Sequence, residues 1–146
     1  MYKLLMSKAQ TYKSVLLMVL ISTFLIADPT DGCELNDNNL FITTDGNVLY
    51  KSVNEIGGFQ FTVDGTTVSG VSGGDAAAAG FTVQGGGSTV LGFSFTGSTI
   101  PVGCGTLTVL TLDGDATGLS GIVMADAIGN SLDFEYYEGS DDGGGD

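Results

Sequence analysis

Carboxylates are the most abundant ionisable side chains in this 146-residue chain, which has 17 acidic residues and no histidine. Asp113 and Asp115 stand two positions apart in a glycine-containing run, and Asp141, Asp142 and Asp146 lie near the C-terminal end. Because calcium takes carboxylate and carbonyl oxygens, either group could share an ion, although neither has the full spacing of an EF-hand loop. Solvated turn carboxylates are the competing interpretation. Calcium is the one cofactor that we consider, and we otherwise expect none.

Tyrosines are the second group with a chemical use, because their rings can stack on a pyranose face. Tyr50, Tyr136 and Tyr137 could form such a platform, and the chain has no tryptophan to strengthen it. In the alternating pattern around them, Tyr136 fits the buried phase and Tyr137 the exposed phase. Tyr50 and Tyr137 are therefore the ligand-binding candidates, against the alternative of ordinary core and rim aromatics.

Catalytic patterns are weak, and we predict that the chain is not an enzyme. A Ser-His-Asp triad needs a histidine, which the chain lacks. A carboxylate pair could support glycoside hydrolysis, but most of the acids stand at turns or on the polar phase of alternating runs. The glycine-rich stretch 56–97 contains no lysine, and the only helix it indicates is one turn at 74–80, whereas phosphate-binding loops need a lysine or a full strand-to-helix unit. These glycines are typical of turns and of closely packed sheets.

The two ends of the chain differ sharply in charge. Lys3, Lys8 and Lys13 precede an uncharged apolar run over 15–27, which is shorter than the roughly 20 residues of a bilayer span. Residues 1–27 are therefore predicted to be a signal peptide, with a retained membrane anchor as the alternative. Lys51 is the only basic residue in the acidic remainder. We expect a secreted or cell-surface protein that binds neither nucleic acid nor, beyond its N-terminal segment, a membrane.

Cys33 and Cys104 are the only cysteines. An exported chain favours their pairing in a disulfide, with two separate thiols as the alternative. The bridge would close a loop of about 70 residues, for which the chain-entropy model gives roughly 4 kcal/mol.

Apolar and polar residues alternate through most of the body, which indicates strands with one buried face. Short turn signals such as Asp64-Gly65 separate the runs. We predict an all-β, jelly-roll sandwich over 28–138, followed by an acidic, glycine-rich tail or linker over 139–146. The nine predicted strands are 39–44, 47–52, 56–64, 66–71, 80–84, 88–96, 105–112, 119–125 and 131–137.

The same alternation predicts the core and one irregularity. The apolar phase flips within 105–112, which indicates a β-bulge or a strand that crosses between sheets. A Phe93→Ala substitution is expected to leave a core cavity that costs about 3–5 kcal/mol. The predicted core residues are Phe59, Phe61, Val63, Phe81, Val83, Leu91, Phe93, Phe95, Ile100, Leu107, Val109, Leu112, Ile122, Met124 and Phe134.

The segments "GFQF", "VLGFSF" and "IPVGCGTLTVL", in this order and with a small-residue segment between the first two, resemble the cohesin-like domains of exported bacterial proteins. The resemblance covers roughly 39–137 and rests on scaffold motifs. It implies a nine-stranded jelly roll related to some carbohydrate-binding modules, and it transfers no binding residue to this chain.

The resulting functional prediction is a non-catalytic binding module. It would recognise an extracellular protein or a polysaccharide through a β-sheet face or edge loops. The alternative is a structural repeat or filament subunit that spaces other extracellular domains. A sugar-active enzyme is the third and least favoured interpretation, and the oligomeric state is left open.

Overall fold

The computed structural model describes residues 27–139, which form two five-stranded sheets packed face to face. The first sheet has the strand order β10-β1-β2-β7-β4, and the second has the order β5-β6-β3-β8-β9. A 3-10 turn (Gly32–Glu34) precedes the sheets, and one short helix, α1 (Gly74–Ala78), lies between β4 and β5. The strands are β1 (Asn39–Ile42), β2 (Asn47–Ser52), β3 (Gly58–Asp64), β4 (Val68–Ser72), β5 (Thr82–Gly86), β6 (Thr89–Phe93), β7 (Gly103–Leu112), β8 (Gly118–Ala125), β9 (Ser131–Leu132) and β10 (Glu135–Tyr136).

The predicted all-β sandwich is confirmed. Every predicted strand overlaps an observed one, and the last, 131–137, is divided into β9 and β10. The chain passes repeatedly from one sheet to the other. Strand β10 forms one edge of the first sheet and pairs in parallel with β1. Apart from its last residue, the predicted signal peptide lies outside the described residues, as do positions 140–146. Between residues 27 and 139, none of the helices has the length and apolar character that crossing a membrane requires.

The predicted irregularity in 105–112 is confirmed as a bulge in β7. Val48 pairs with Thr108 and Leu49 with Thr106, so Leu107 has no partner residue on β2. Leu107 and Thr108 are both fully buried although they are consecutive. The extra residue therefore reverses the phase of β7, so that Leu107, Leu110 and Leu112 all pack in or against the core.

Most of the predicted core residues lie between the two sheets. Phe59 stacks on Phe61 and on Phe81, with ring centroids 6.0 Å and 6.2 Å apart. These rings belong to one continuous buried cluster to which both sheets contribute. The confirmed buried residues are Phe59, Phe61, Val63, Phe81, Ile100, Leu107 and Met124. Val83, Leu112, Ile122 and Phe134 are half-buried and pack against this cluster. Val109 is also half-buried, but it does not belong to the cluster.

The prediction was wrong for β6, whose inward face is the opposite one. Val90 and Gly92 are buried, whereas Leu91 is exposed and Phe93 is only half-buried. Phe95, just beyond the strand, is 82% exposed. A Cβ added at Gly92 would lie 2.2 Å from Cζ of Phe59, so the ring of Phe59 occupies the space that a side chain at this position would need.

The N-terminal segment crosses the outer face of the first sheet. The predicted Cys33–Cys104 disulfide is confirmed, and it joins Cα atoms 5.0 Å apart across 71 positions of sequence. Next to it, Gly32 lies so close to the sheet that an added Cβ would be 2.3 Å from the carbonyl oxygen of Gly105. Leu35 then packs with Leu49 and other outward-facing side chains in a second, smaller buried cluster. The disulfide therefore fixes the N-terminal segment over the outer face of the first sheet.

Candidate functional site

The outer face of the second sheet carries apolar side chains that no described segment covers. Gln60 of β3 pairs with Leu91 on one side and with Val123 on the other, so these three side chains share the outward face. Leu91 is 39% exposed and Val123 is 56% exposed. Phe93 lies on the same face of β6, and its ring meets that of Phe95 edge-on at a centroid distance of 4.8 Å. We call Leu91, Phe93, Phe95 and Val123 the apolar face.

The side chains between these apolar residues are uncharged. The row through Leu91 contains the exposed amides Gln60 and Gln84, and the row through Phe93 contains Thr82 and Gly58. Exposed apolar residues surrounded by neutral polar groups are typical of surfaces that bind another protein.

The two outer faces of the sandwich therefore differ. Phe41, Leu49 and Tyr137 face outward from the first sheet, but Leu35 and the disulfide-held segment lie over this region. No described part of the chain plays the same role on the apolar face. The open face is the one surface of this kind that the described residues leave available to a partner.

Tyr137 does not present a sugar-binding platform, which corrects the sequence-based hypothesis. Its predicted outward phase is right, yet its side chain is buried in the smaller cluster. Its ring meets that of Phe41 edge-on at 6.0 Å, while Tyr136 stacks on Phe41 at 5.7 Å. Tyr137 is buried because Leu35 of the N-terminal segment, which is distant in sequence, packs in the same cluster.

Tyr50 is also unavailable for stacking on a sugar, because its side chain is 2% exposed and points into the core. Its hydroxyl donates a hydrogen bond to Oδ2 of Asp75 at 2.6 Å. Burial, followed by this hydrogen bond and by the negative charge of Asp75, raises the pKa of Tyr50 well above its ordinary value. Tyr50 is therefore a protonated donor that orients a carboxylate.

Asp75 is the polar residue that sequence reasoning did not assign to a site. It stands in α1, at the start of the segment "GDAAAAG", which predicts one helical turn. Helix α1 packs on β7 and brings the Asp75 carboxylate next to Tyr50 of β2. Nothing in the local sequence indicates this contact, since the two residues are separated by 25 positions and belong to different elements.

The metal-binding candidates Asp113 and Asp115 do not form a cluster. The hydroxyl of Thr67 donates a hydrogen bond to Oδ2 of Asp113, and the Asp113 amide donates to the Thr67 carbonyl at 3.0 Å. Asp115 is exposed. Within residues 27–139, no three His, Cys, Asp or Glu side chains come together as a metal site would require. Asp141, Asp142 and Asp146 lie outside that range, so calcium binding stays a prediction.

No family model, curated protein or solved structure matches this chain. Function is therefore inferred from two features of the described residues, the apolar face and the Tyr50–Asp75 pair.

Proposed function

We propose that this chain is a non-catalytic binding module, cohesin-like in type, that holds a protein partner on the apolar face of its second sheet. The observation that carries this proposal is the difference between the two outer faces. One is covered by a disulfide-held segment. The other leaves Leu91 and Val123 exposed on either side of Gln60, and it leaves Phe95 exposed in ring contact with Phe93. The two-sheet architecture agrees with the jelly roll that the resemblance implies.

A protein partner fits this face better than a polysaccharide does. The rings of Phe93 and Phe95 are inclined at 81°, so they offer no common plane on which successive sugar rings could stack. The apolar face also has no charged side chain in its central rows, whereas sugar sites need polar groups to meet the many hydroxyls. Apolar side chains from a partner would be well accommodated.

The charge of the molecule indicates the chemistry of the partner. Lys51 is the only basic residue between positions 27 and 139, and the whole chain has a formal net charge of −13. A partner segment with apolar side chains flanked by Lys or Arg would be attracted at long range and would bury its apolar residues on contact. The disulfide supports an exported location, where thiols oxidise and such a pairing persists.

Substitutions on the apolar face test this proposal. The full chain and its Leu91→Glu and Val123→Glu variants would be immobilised, and proteins captured from the extracellular fraction of the source cells would be quantified by mass spectrometry. The captured amount of a specific partner should be at least ten-fold lower with each face variant than with the wild type. Val53→Glu is the matched control, because Val53 is an exposed valine that follows β2 of the other sheet. It should leave capture unchanged.

Three outcomes would count against a protein-binding face. One is a partner that all three variants retain equally. Another is a polysaccharide on a glycan array that the wild-type chain binds and both face variants lose. The third is concentration-dependent self-association, measured by light scattering, that both face variants abolish. This last result would favour the structural or filament subunit instead.

A further inference from the structure

A pocket of about 430 Å³ lies between α1, the connection 94–102 and the start of β7. Its walls include the small or apolar side chains of Ala78, Ala79, Pro101 and Val102. Its polar side chains are those of Tyr50 and Asp75, which are hydrogen-bonded to each other, and that of Thr99, whose hydroxyl donates to Glu55. The volume falls within the roughly 300–1,000 Å³ that is usual for sites that bind small ligands. We call this the α1 pocket, and it shares no residue with the apolar face.

One oxygen of the Asp75 carboxylate accepts a hydrogen bond from the described part of the chain, and the other is accessible to solvent. Tyr50 donates to Oδ2, and no described residue donates a hydrogen bond to Oδ1. Lys51, the only base between positions 27 and 139, forms its ion pair elsewhere, with Nζ 3.5 Å from Oδ1 of Asp37. The charge of Asp75 therefore has no cationic partner among the described residues, although it lies against a pocket with mainly apolar walls.

Gly105 shows that the fold makes room for this carboxylate. An added Cβ at position 105 would lie 3.1 Å from Oδ2 of Asp75, and φ of +155° also disfavours a side chain there. Asp75 thus packs directly against the backbone of β7, with Tyr50 on one side. This packing and the hydrogen bond hold the carboxylate in one orientation.

We propose that the α1 pocket binds a primary ammonium group on an aliphatic stem, with Asp75 as its counter-ion. One ammonium N–H can donate to the free Oδ1, and the methylene stem can lie along the alanines and Val102. An anion would be repelled by Asp75, and a hard metal ion would need several more oxygen ligands than one carboxylate supplies. The acidic surface raises the local concentration of any such cation.

This chemistry has two sources, a free alkylamine and a lysine side chain of another protein. The proposal does not depend on the apolar face, so either can fail without the other. Both sources share the ammonium and its stem, and they differ in the amide groups that flank a lysine.

Titrations of the isotope-labelled full chain, followed by NMR, test the proposal. We expect n-pentylamine to shift the amide resonances of Ala78, Ala79 and Val102 in a saturable way, and n-pentanol to bind at least ten-fold more weakly. Asp75→Asn should weaken pentylamine binding at least ten-fold, because it removes the charge and keeps an acceptor for Tyr50. The matched control Asp115→Asn removes an exposed carboxylate elsewhere and should change the affinity less than two-fold.

A second variant keeps the test decisive if Asp75→Asn disturbs the fold. Ala78→Leu narrows the pocket from an exposed helical position, leaves the carboxylate intact and should weaken binding at least five-fold. Nα-acetyl-lysine N-methylamide separates the two sources: binding as tight as that of pentylamine points to a lysine side chain, and much weaker binding points to a free amine. The proposal is overturned if neither amine saturates, if pentanol binds equally well, or if Ala78→Leu binds as the wild type does.

Discussion

Two phenylalanines on neighbouring strands show how one residue type serves two purposes. Phe61 of β3 is fully buried between the sheets, while Phe93 of β6 is half-buried on the outer face beside Phe95. We predict that Phe61→Ala costs about 3–5 kcal/mol, because it leaves a core cavity. Phe93→Ala should cost only about 1 kcal/mol, the scale of one aromatic pair at a surface. Urea unfolding of both variants measures the difference, and equal costs would place Phe93 in the core after all.

Tyr50 gives a second prediction at this scale, from the direction of its pKa shift. Its pKa is raised above the ordinary value of 10.0, first by burial and then by Asp75. The unfolded chain releases this proton near pH 10 while the folded chain keeps it, so the stabilisation is complete below pH 10 and is lost as the pH rises further. The wild type should therefore lose about 1 kcal/mol more than Tyr50→Phe by about pH 11.

Urea unfolding at about pH 8 and pH 11 measures this loss for both proteins. Tyr136, whose pKa burial also raises, is present in both and cancels in the comparison. At the lower pH, Tyr50→Phe should be less stable than wild type by about 1–3 kcal/mol, because a hydrogen bond to a charged group is removed. Parallel pH profiles for the two proteins would show that Tyr50 is not the group that titrates.

The two neighbouring tyrosines, Tyr136 and Tyr137, show what a local sequence pattern can predict for a single side chain. The alternation in 131–137 correctly assigns Tyr136 inward and Tyr137 outward. It carries no information about Leu35, which lies about a hundred positions earlier and covers Tyr137. Local periodicity can assign a side chain to a face of its strand, but another segment decides whether that face meets water.

Strand β6 is the element whose inward face could not be predicted from its local sequence. Leu91, Phe93 and Phe95 share one phase and are more apolar than Val90 and Gly92, so hydrophobicity alone predicts the wrong inward face. The structure turns Gly92 inward because Phe59, directly opposite on β3, fills its place. Glycine here is part of the core, although it supplies no side chain to reveal this in the sequence.

Alanine substitutions of two glycines test this account of β6. Gly92→Ala would place a Cβ 2.2 Å from the Phe59 ring, so we predict a loss of about 1–3 kcal/mol through overpacking. Gly86→Ala, at the end of the neighbouring strand β5, would meet nothing within 4 Å and should change stability by less than about 0.5 kcal/mol. Thermal unfolding of the pair checks both values. A tolerated Gly92→Ala would contradict the packing of Phe59 described above.

At the scale of the whole molecule, the sequence predicts the layers of the sandwich, and long-range packing decides which surfaces remain available. Two-residue periodicity and turn signals are local. They indicate where the strands lie, apart from the division of 131–137 into β9 and β10, and they indicate the irregularity in β7. The Cys33–Cys104 bridge also follows from the sequence, because there is only one possible pair. The cover on the first sheet and the meeting of Tyr50 with Asp75 join distant segments, and neither leaves a local signal.

Net charge provides the last prediction, since it belongs to the molecule rather than to any element. With a formal charge of −13 and one described ion pair, the folded chain brings many carboxylates close together. Salt screens this repulsion, so the unfolding midpoint should rise by roughly 3–6 °C between about 20 mM and 500 mM NaCl, equivalent to about 1 kcal/mol. The exposed substitution Asp115→Lys reduces the net charge by two, and it should raise the midpoint in low salt and diminish the response to salt. Differential scanning calorimetry of the wild type and Asp115→Lys measures these midpoints. Self-repulsion would not limit the stability of this fold if the midpoint fell with added NaCl, or if the two proteins responded to NaCl equally.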